Sequence, residues 1–112
     1  MKDFLYLFWG GAPRQNQSPE EIQKHMQKWS TWIEQLGTQG KYKGGEPLEA
    51  DGKVVRSPNR LVTDGPFAES KENVGGYLIV TAGNLGEATE LAKGCPIFEN
   101  GGHVEVRPIA KM

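Results

Sequence analysis

Apolar positions fall into three patterns along the chain, and each predicts a different kind of element. Phe4-Leu-Tyr-Leu-Phe-Trp9 is an unbroken apolar run closed by Gly10-Gly11. It is too short for a helix of ordinary length and reads as a strand buried on both faces. Ile22, Met26, Trp29, Ile33 and Leu36 recur at i, i+4, i+7, i+11 and i+14, which draws one stripe down a helix and puts His25 and Trp32 at its edge. Tyr77-Leu-Ile-Val80 is a second unbroken run. His103-Val-Glu-Val-Arg107 alternates instead, with Val104 and Val106 on one face and His103, Glu105 and Arg107 on the other.

Turn and cap residues set the boundaries. Ser18 is an N-cap, Pro19 takes the first helical position, and Glu20 and Glu21 occupy the first turn, with Glu21 spaced for a capping box. Gly37 or Gly40 ends that helix. Tyr42 to Leu48, interrupted by Gly44-Gly45 and Pro47, reads as a bent, weak strand. Asp51-Gly52 is the strongest hairpin signal in the chain, which makes Lys53-Val-Val-Arg56 the return strand. Pro58-Asn59 marks a turn before a strand from Arg60 to Thr63, and Asp64-Gly65-Pro66-Phe67 turns sharply into a charged connector. Asn84 caps a second helix through Leu85, Ala88, Leu91 and Ala92, stopped by Gly94 with Pro96 beyond.

Read in order, these elements predict an α+β fold, a single domain over residues 1–112 with the ferredoxin-like β-α-β-β-α-β arrangement and an inserted hairpin. Both helices then lie on one face of an antiparallel sheet. The two apolar runs leave large side chains on the other face as well. At about 1.5–3 kcal/mol for each, exposing several would consume a small domain's whole stability. A second copy related by a two-fold axis is the simplest cover, so a homodimer is expected.

Composition narrows the function classes. Thirteen basic against fourteen acidic residues give a net charge of -1, with no basic stripe for nucleic acid. No stretch approaches the roughly 20 apolar residues of a membrane span, and the N-terminal run has no small-residue cleavage site. With Cys95 alone no internal disulfide forms, which points to a soluble protein of a reducing cytoplasm. The residues after Gly10 match neither glycine-rich phosphate loop. Two histidines and one cysteine lack zinc-like spacing, so neither metal nor cofactor is expected. Cys95, just past a helix end, sits where the dipole would raise its pKa, a poor nucleophile.

Thr63-Asp-Gly-Pro-Phe-Ala-Glu-Ser-Lys-Glu72, followed by Gly75-Gly76-Tyr77, resembles the signature of DGPF-type proteins of the YCII-related family. Gly40 to Leu48 and the close from Gly94 to Pro108 resemble the same family. The resemblance implies a dimeric α+β barrel and a His–Asp pair in a cleft near the dimer interface, with Asp64 as the carboxylate. His25 is the candidate proton partner, although the local context of the histidine in shorter relatives is not matched around it. Each site reading has a structural alternative: Asp64 as a cap of its own turn, His25 as an edge-of-core residue. Glu69, Lys71 and Glu72 are candidate ligand contacts or solvated charges. Trp9 either walls a pocket or packs in core or interface, and His103 either lines a cavity with Glu105 and Arg107 or stands in solvent. The functions in play are a small-molecule enzyme using acid–base chemistry, a non-catalytic binding module and a protein-interaction dimer.

Overall fold

A computed structural model describes residues 1–10, 17–49, 51–64 and 74–111. Its elements are β1 (Lys2–Trp9), α1 (Pro19–Thr38), β2 (Tyr42–Pro47), β3 (Lys53–Arg56), β4 (Leu61–Asp64), β5 (Val74–Ala82), α2 (Leu85–Ala92), a 3₁₀ turn (Pro96–Asn100) and β6 (His103–Pro108). β2, β5, β1 and β6 make a four-stranded antiparallel sheet in that order. The two apolar runs are thus its central strands, where both edges of the backbone are paired. No described helix is long and apolar enough to cross a membrane.

Alternation along β1 and β5 divides their side chains between two faces. Phe4, Tyr6, Phe8, Leu78, Val80 and Ala82 are buried beneath the helices with Trp32, Leu36, Ala88 and Ala92. Leu5, Leu7, Trp9, Tyr77 and Ile79 point to the helix-free face and are only half-buried. Burial of β1 on both faces is therefore not achieved within one chain: the helices cover a single side. On β6, Val104 and Val106 pack against the core, as the alternation predicts.

The caps of α1 follow the sequence. The Glu21 amide donates to Ser18 Oγ at 3.1 Å. At the far end the helix runs through Gly37 and stops at Gly40, whose left-handed φ of +72° glycine adopts without strain. Lys41 N–H bonds the Leu36 carbonyl and Gly40 N–H the Gly37 carbonyl, a Schellman close. The buried face is rotated from the predicted stripe. Trp32, expected at the edge, is 5% exposed, whereas Met26 is 52% exposed. The indole wins because it stacks on Tyr6 at 6.1 Å and donates Nε1–H to the Leu91 carbonyl.

The hairpin differs more. Lys53–Arg56 pairs with Leu61–Asp64 across a turn at residues 57–60, not with β2 across Asp51-Gly52. Arg60 takes the left-handed φ of +56° that closes the turn, and Val55 faces Val62 as a β-branched pair. β2 is claimed by β5, where Gly45 permits the approach: a methyl group there would stand 2.4 Å from the Tyr77 carbonyl oxygen. The β3–β4 hairpin forms its own sheet and stands out as an arm, with Val55, Leu61 and Val62 all more than half exposed.

Among the described residues, Tyr6 and Cys95 are the buried titratable groups, and burial is the main cause of the rise of each to about 12 from 10.0 and 9.0. For Cys95 the cause is burial, and not the helix end that the sequence suggested. Both groups are held neutral in the folded state, so the unfolded chain loses its protons first as pH rises. We expect stability to fall from about pH 9 through pH 12, by about 2 kcal/mol or more, as followed by urea unfolding at stepped pH. Trp32→Ala is expected to cost about 3–5 kcal/mol and Met26→Ala under about 1 kcal/mol in the same assay, an ordering opposite to the one the stripe alone predicts.

Candidate functional site

Between the N-terminal half of α1 and the adjoining ends of β1, β2 and β5 lies a cavity of about 390 Å³. Its helix wall is formed by the side chains that the predicted stripe sent to the core, Ile22, Met26, Trp29 and Ile33, together with His25 and Ser30. Across from them stand Phe8 and Leu78 of the core face, with Gly45, Glu46 and Pro47 from β2 and Gly75 and Gly76 from β5. Ile97 and Asn100 of the 3₁₀ turn close one side. The walls are mainly apolar and aromatic, with few polar groups, which is the usual make-up of a small-molecule site.

His25 is fixed in this wall by two hydrogen bonds to one atom. Trp29, one helical turn along, donates Nε1–H to His25 Nε2 at 2.8 Å. Asn100 Nδ2 lies 3.1 Å from the same Nε2. The 3₁₀ turn that presents Asn100 is itself tied to α1, because Ile97 is buried and Lys28 Nζ meets Glu99 Oε1 at 2.6 Å. Trp29 in turn meets Phe8 edge to face at 4.9 Å and Trp32 at 5.8 Å, so the imidazole is braced through an aromatic chain to the centre of the core.

The residues proposed from the sequence divide among separate places. His25 lines the cavity. Trp9 and His103 are register partners on the helix-free face, their rings parallel within 3° at 6.1 Å between centroids. Trp9 Nε1 there donates to Glu105 Oε1 at 3.0 Å, and Arg107 Nε stands 3.8 Å from Glu105 Oε2. Trp9 thus belongs to a cluster on the other side of the sheet from the cavity. Asp64 is the last residue of β4, at the root of the arm opposite Lys53. Glu69, Lys71 and Glu72 lie outside the described residues. Among the described residues no three His, Cys, Asp or Glu side chains gather as a metal site would require.

Sequence reasoning missed Trp29 and Asn100 as partners of His25. The i,i+4 spacing of His25 and Trp29 was a usable signal. For Asn100 there was none, because it reaches the histidine only after α1 and the 3₁₀ turn pack together across 75 residues of chain.

No curated protein matches this chain. Among solved structures it is similar to 5-chloro-2-hydroxyhydroquinone dehydrochlorinase (TftG) from Burkholderia phenoliruptrix AC1100, in complex with 2,5-dihydroxybenzoquinone. The TM-score is 0.51 at 16% identity, over 98% of this chain and 95% of that one, a likeness of fold. The model of the YCII-related domain matches residues 5–112, from the first central strand through both helices to the last strand. With that match spanning every element that builds the sheet and the cavity, the chain belongs to the YCII-related domain family.

Proposed function

We propose that the chain is a homodimer that takes a small molecule into the cavity beside His25 and acts on it by acid–base chemistry, with Asp64 as the carboxylate. The observation that carries this reading is the cavity itself. Its volume of about 390 Å³ suits a ligand of one or two rings, and a single imidazole stands braced in a mainly apolar and aromatic wall. Connectivity supports a role for the signature segment. Asp64 ends the arm, and the connector bearing Glu69, Lys71 and Glu72 returns the chain to Val74, next to the cavity residues Gly75 and Gly76. The lone buried thiol of Cys95 is consistent with residence in the cytoplasm.

Two copies are proposed because of the helix-free face. A sheet of four strands, the longest of nine residues, presents roughly 20 Å by 30 Å. Its centre holds Leu5, Leu7, Tyr77 and Ile79. That falls somewhat short of the roughly 800 Å² each partner gives to a standard interface, and the exposed valines and leucine of the arm supply more. A charge placed at the centre of such an interface has no partner and is costly to bury. Ile79→Lys is therefore expected to raise the dimer dissociation constant by about 30-fold or more, read by sedimentation at micromolar protein.

The ring bound by the similar structure, 2,5-dihydroxybenzoquinone, is a suitable first probe. Calorimetric titration is expected to detect its binding to the wild type and a loss of at least about tenfold in affinity for His25→Ala, about 1.4 kcal/mol. For a substrate found by screening from that starting point, Asp64→Asn is expected to abolish turnover while binding persists. Retained turnover would remove Asp64 from the chemistry. Binding without turnover in any variant, wild type included, would instead favour a non-catalytic module.

A further inference from the structure

We infer that Trp29 and Asn100 are positioning residues that hold His25 as the neutral imidazole protonated on Nδ1, so that Nδ1 is the nitrogen that meets a ligand, and meets it as a hydrogen-bond donor. This rests on the cavity being the ligand site, and it names which atom of that site works.

An indole N–H can only donate. At 2.8 Å from Trp29 Nε1, His25 Nε2 must therefore offer its lone pair, since a proton on Nε2 would set N–H against N–H. With the lone pair there, the amide nitrogen of Asn100 at 3.1 Å is a second donor to the same atom. A neutral imidazole that accepts at Nε2 carries its proton on Nδ1. Among the described residues no group bonds to Nδ1, and no described side-chain nitrogen or oxygen is buried without a partner. An Nδ1 without a partner is therefore not buried, and His25 is one of the residues that line the cavity.

The proton inventory then limits the chemistry. Taking up a proton at Nε2 would mean displacing both donors. Giving up the Nδ1 proton would leave an imidazolate, out of reach near neutral pH. His25 therefore keeps its proton and lends it as a hydrogen bond, which strengthens toward an oxygen that gains negative charge. The ligand class that uses such a group presents a carbonyl or phenolic oxygen on the His25 side and passes through an enolate or phenolate. Any base that removes a proton from that ligand must be a different group, the part proposed for Asp64.

The test is a long-range ¹H–¹⁵N spectrum of the full-length protein at pH 8, assigned with His103→Gln because the chain has only two histidines. The expected pattern for His25 is Nδ1 protonated and Nε2 bare. An Nε2-protonated ring, or an imidazolium at that pH, would overturn the inference. Each hydrogen bond biases the tautomer on the order of tenfold, so Trp29→Phe is expected to move the ring to a mixed population. Asn100→Asp, which replaces a donor by an acceptor and spares the core, is expected to draw a proton onto Nε2 even where Trp29→Phe fails to fold. An unchanged Nδ1-protonated pattern in the folded variants would remove the positioning role. Failure here is separable from failure of the site: the tautomer is read without ligand, and 2,5-dihydroxybenzoquinone binding is read without reference to the tautomer.

Discussion

The structure depends on one aromatic seam between the first strand and the first helix. Tyr6, Phe8, Trp29 and Trp32 meet one another at 4.9 to 6.4 Å between ring centroids, with Tyr6 and Trp32 stacked and the remaining pairs edge to face. Two of the chain's three tryptophans lie in this seam, and the geometry of its rings leaves little freedom in how α1 is rotated above the sheet. Tyr6 is the most deeply buried of them, and its hydroxyl spans the core to donate to the Ala88 carbonyl, tying α2 to the same seam. Because Trp32 turns inward, Ile22 and Met26 turn away from the core centre and become a cavity wall.

The site is a by-product of that packing. The seam ends at Trp29, and Trp29 is the residue that reaches His25. The core therefore determines the position of the imidazole, rather than merely supporting a loop that carries it. A site built in this way is preorganised: the rings that orient the histidine are held by the same contacts that fold the protein.

The sheet's two faces have different fates. One is closed by the helices and hosts the cavity. The other keeps half-buried leucines and aromatics around the Trp9–His103–Glu105 cluster. The arm leaves from the end of the sheet where the cavity lies, so the cavity and the proposed contact with a second copy meet at one end without sharing a face. An isolated two-stranded hairpin is marginal in water, which makes the arm the part of the chain most dependent on company.

The sequence by itself determined what is local. Period two placed Val104 and Val106 on the core side of β6, Ser18 and Asn84 capped the two helices, Gly40 was one of two stops named for the first, and the unbroken runs of β1 and β5 became the paired centre of the sheet. Tertiary structure decided what depends on competition between distant partners. Asp51-Gly52 is a good turn in isolation, but β2 gains more by pairing with β5, so Lys53–Arg56 folds onto Leu61–Asp64 instead. The stripe from Ile22 to Leu36 is spaced for burial, yet two indoles outweigh Met26 and rotate the helix. His25 is one residue among its neighbours in sequence. It becomes a braced donor only because packing brings Asn100 from the far end of the chain to the nitrogen that Trp29 already holds.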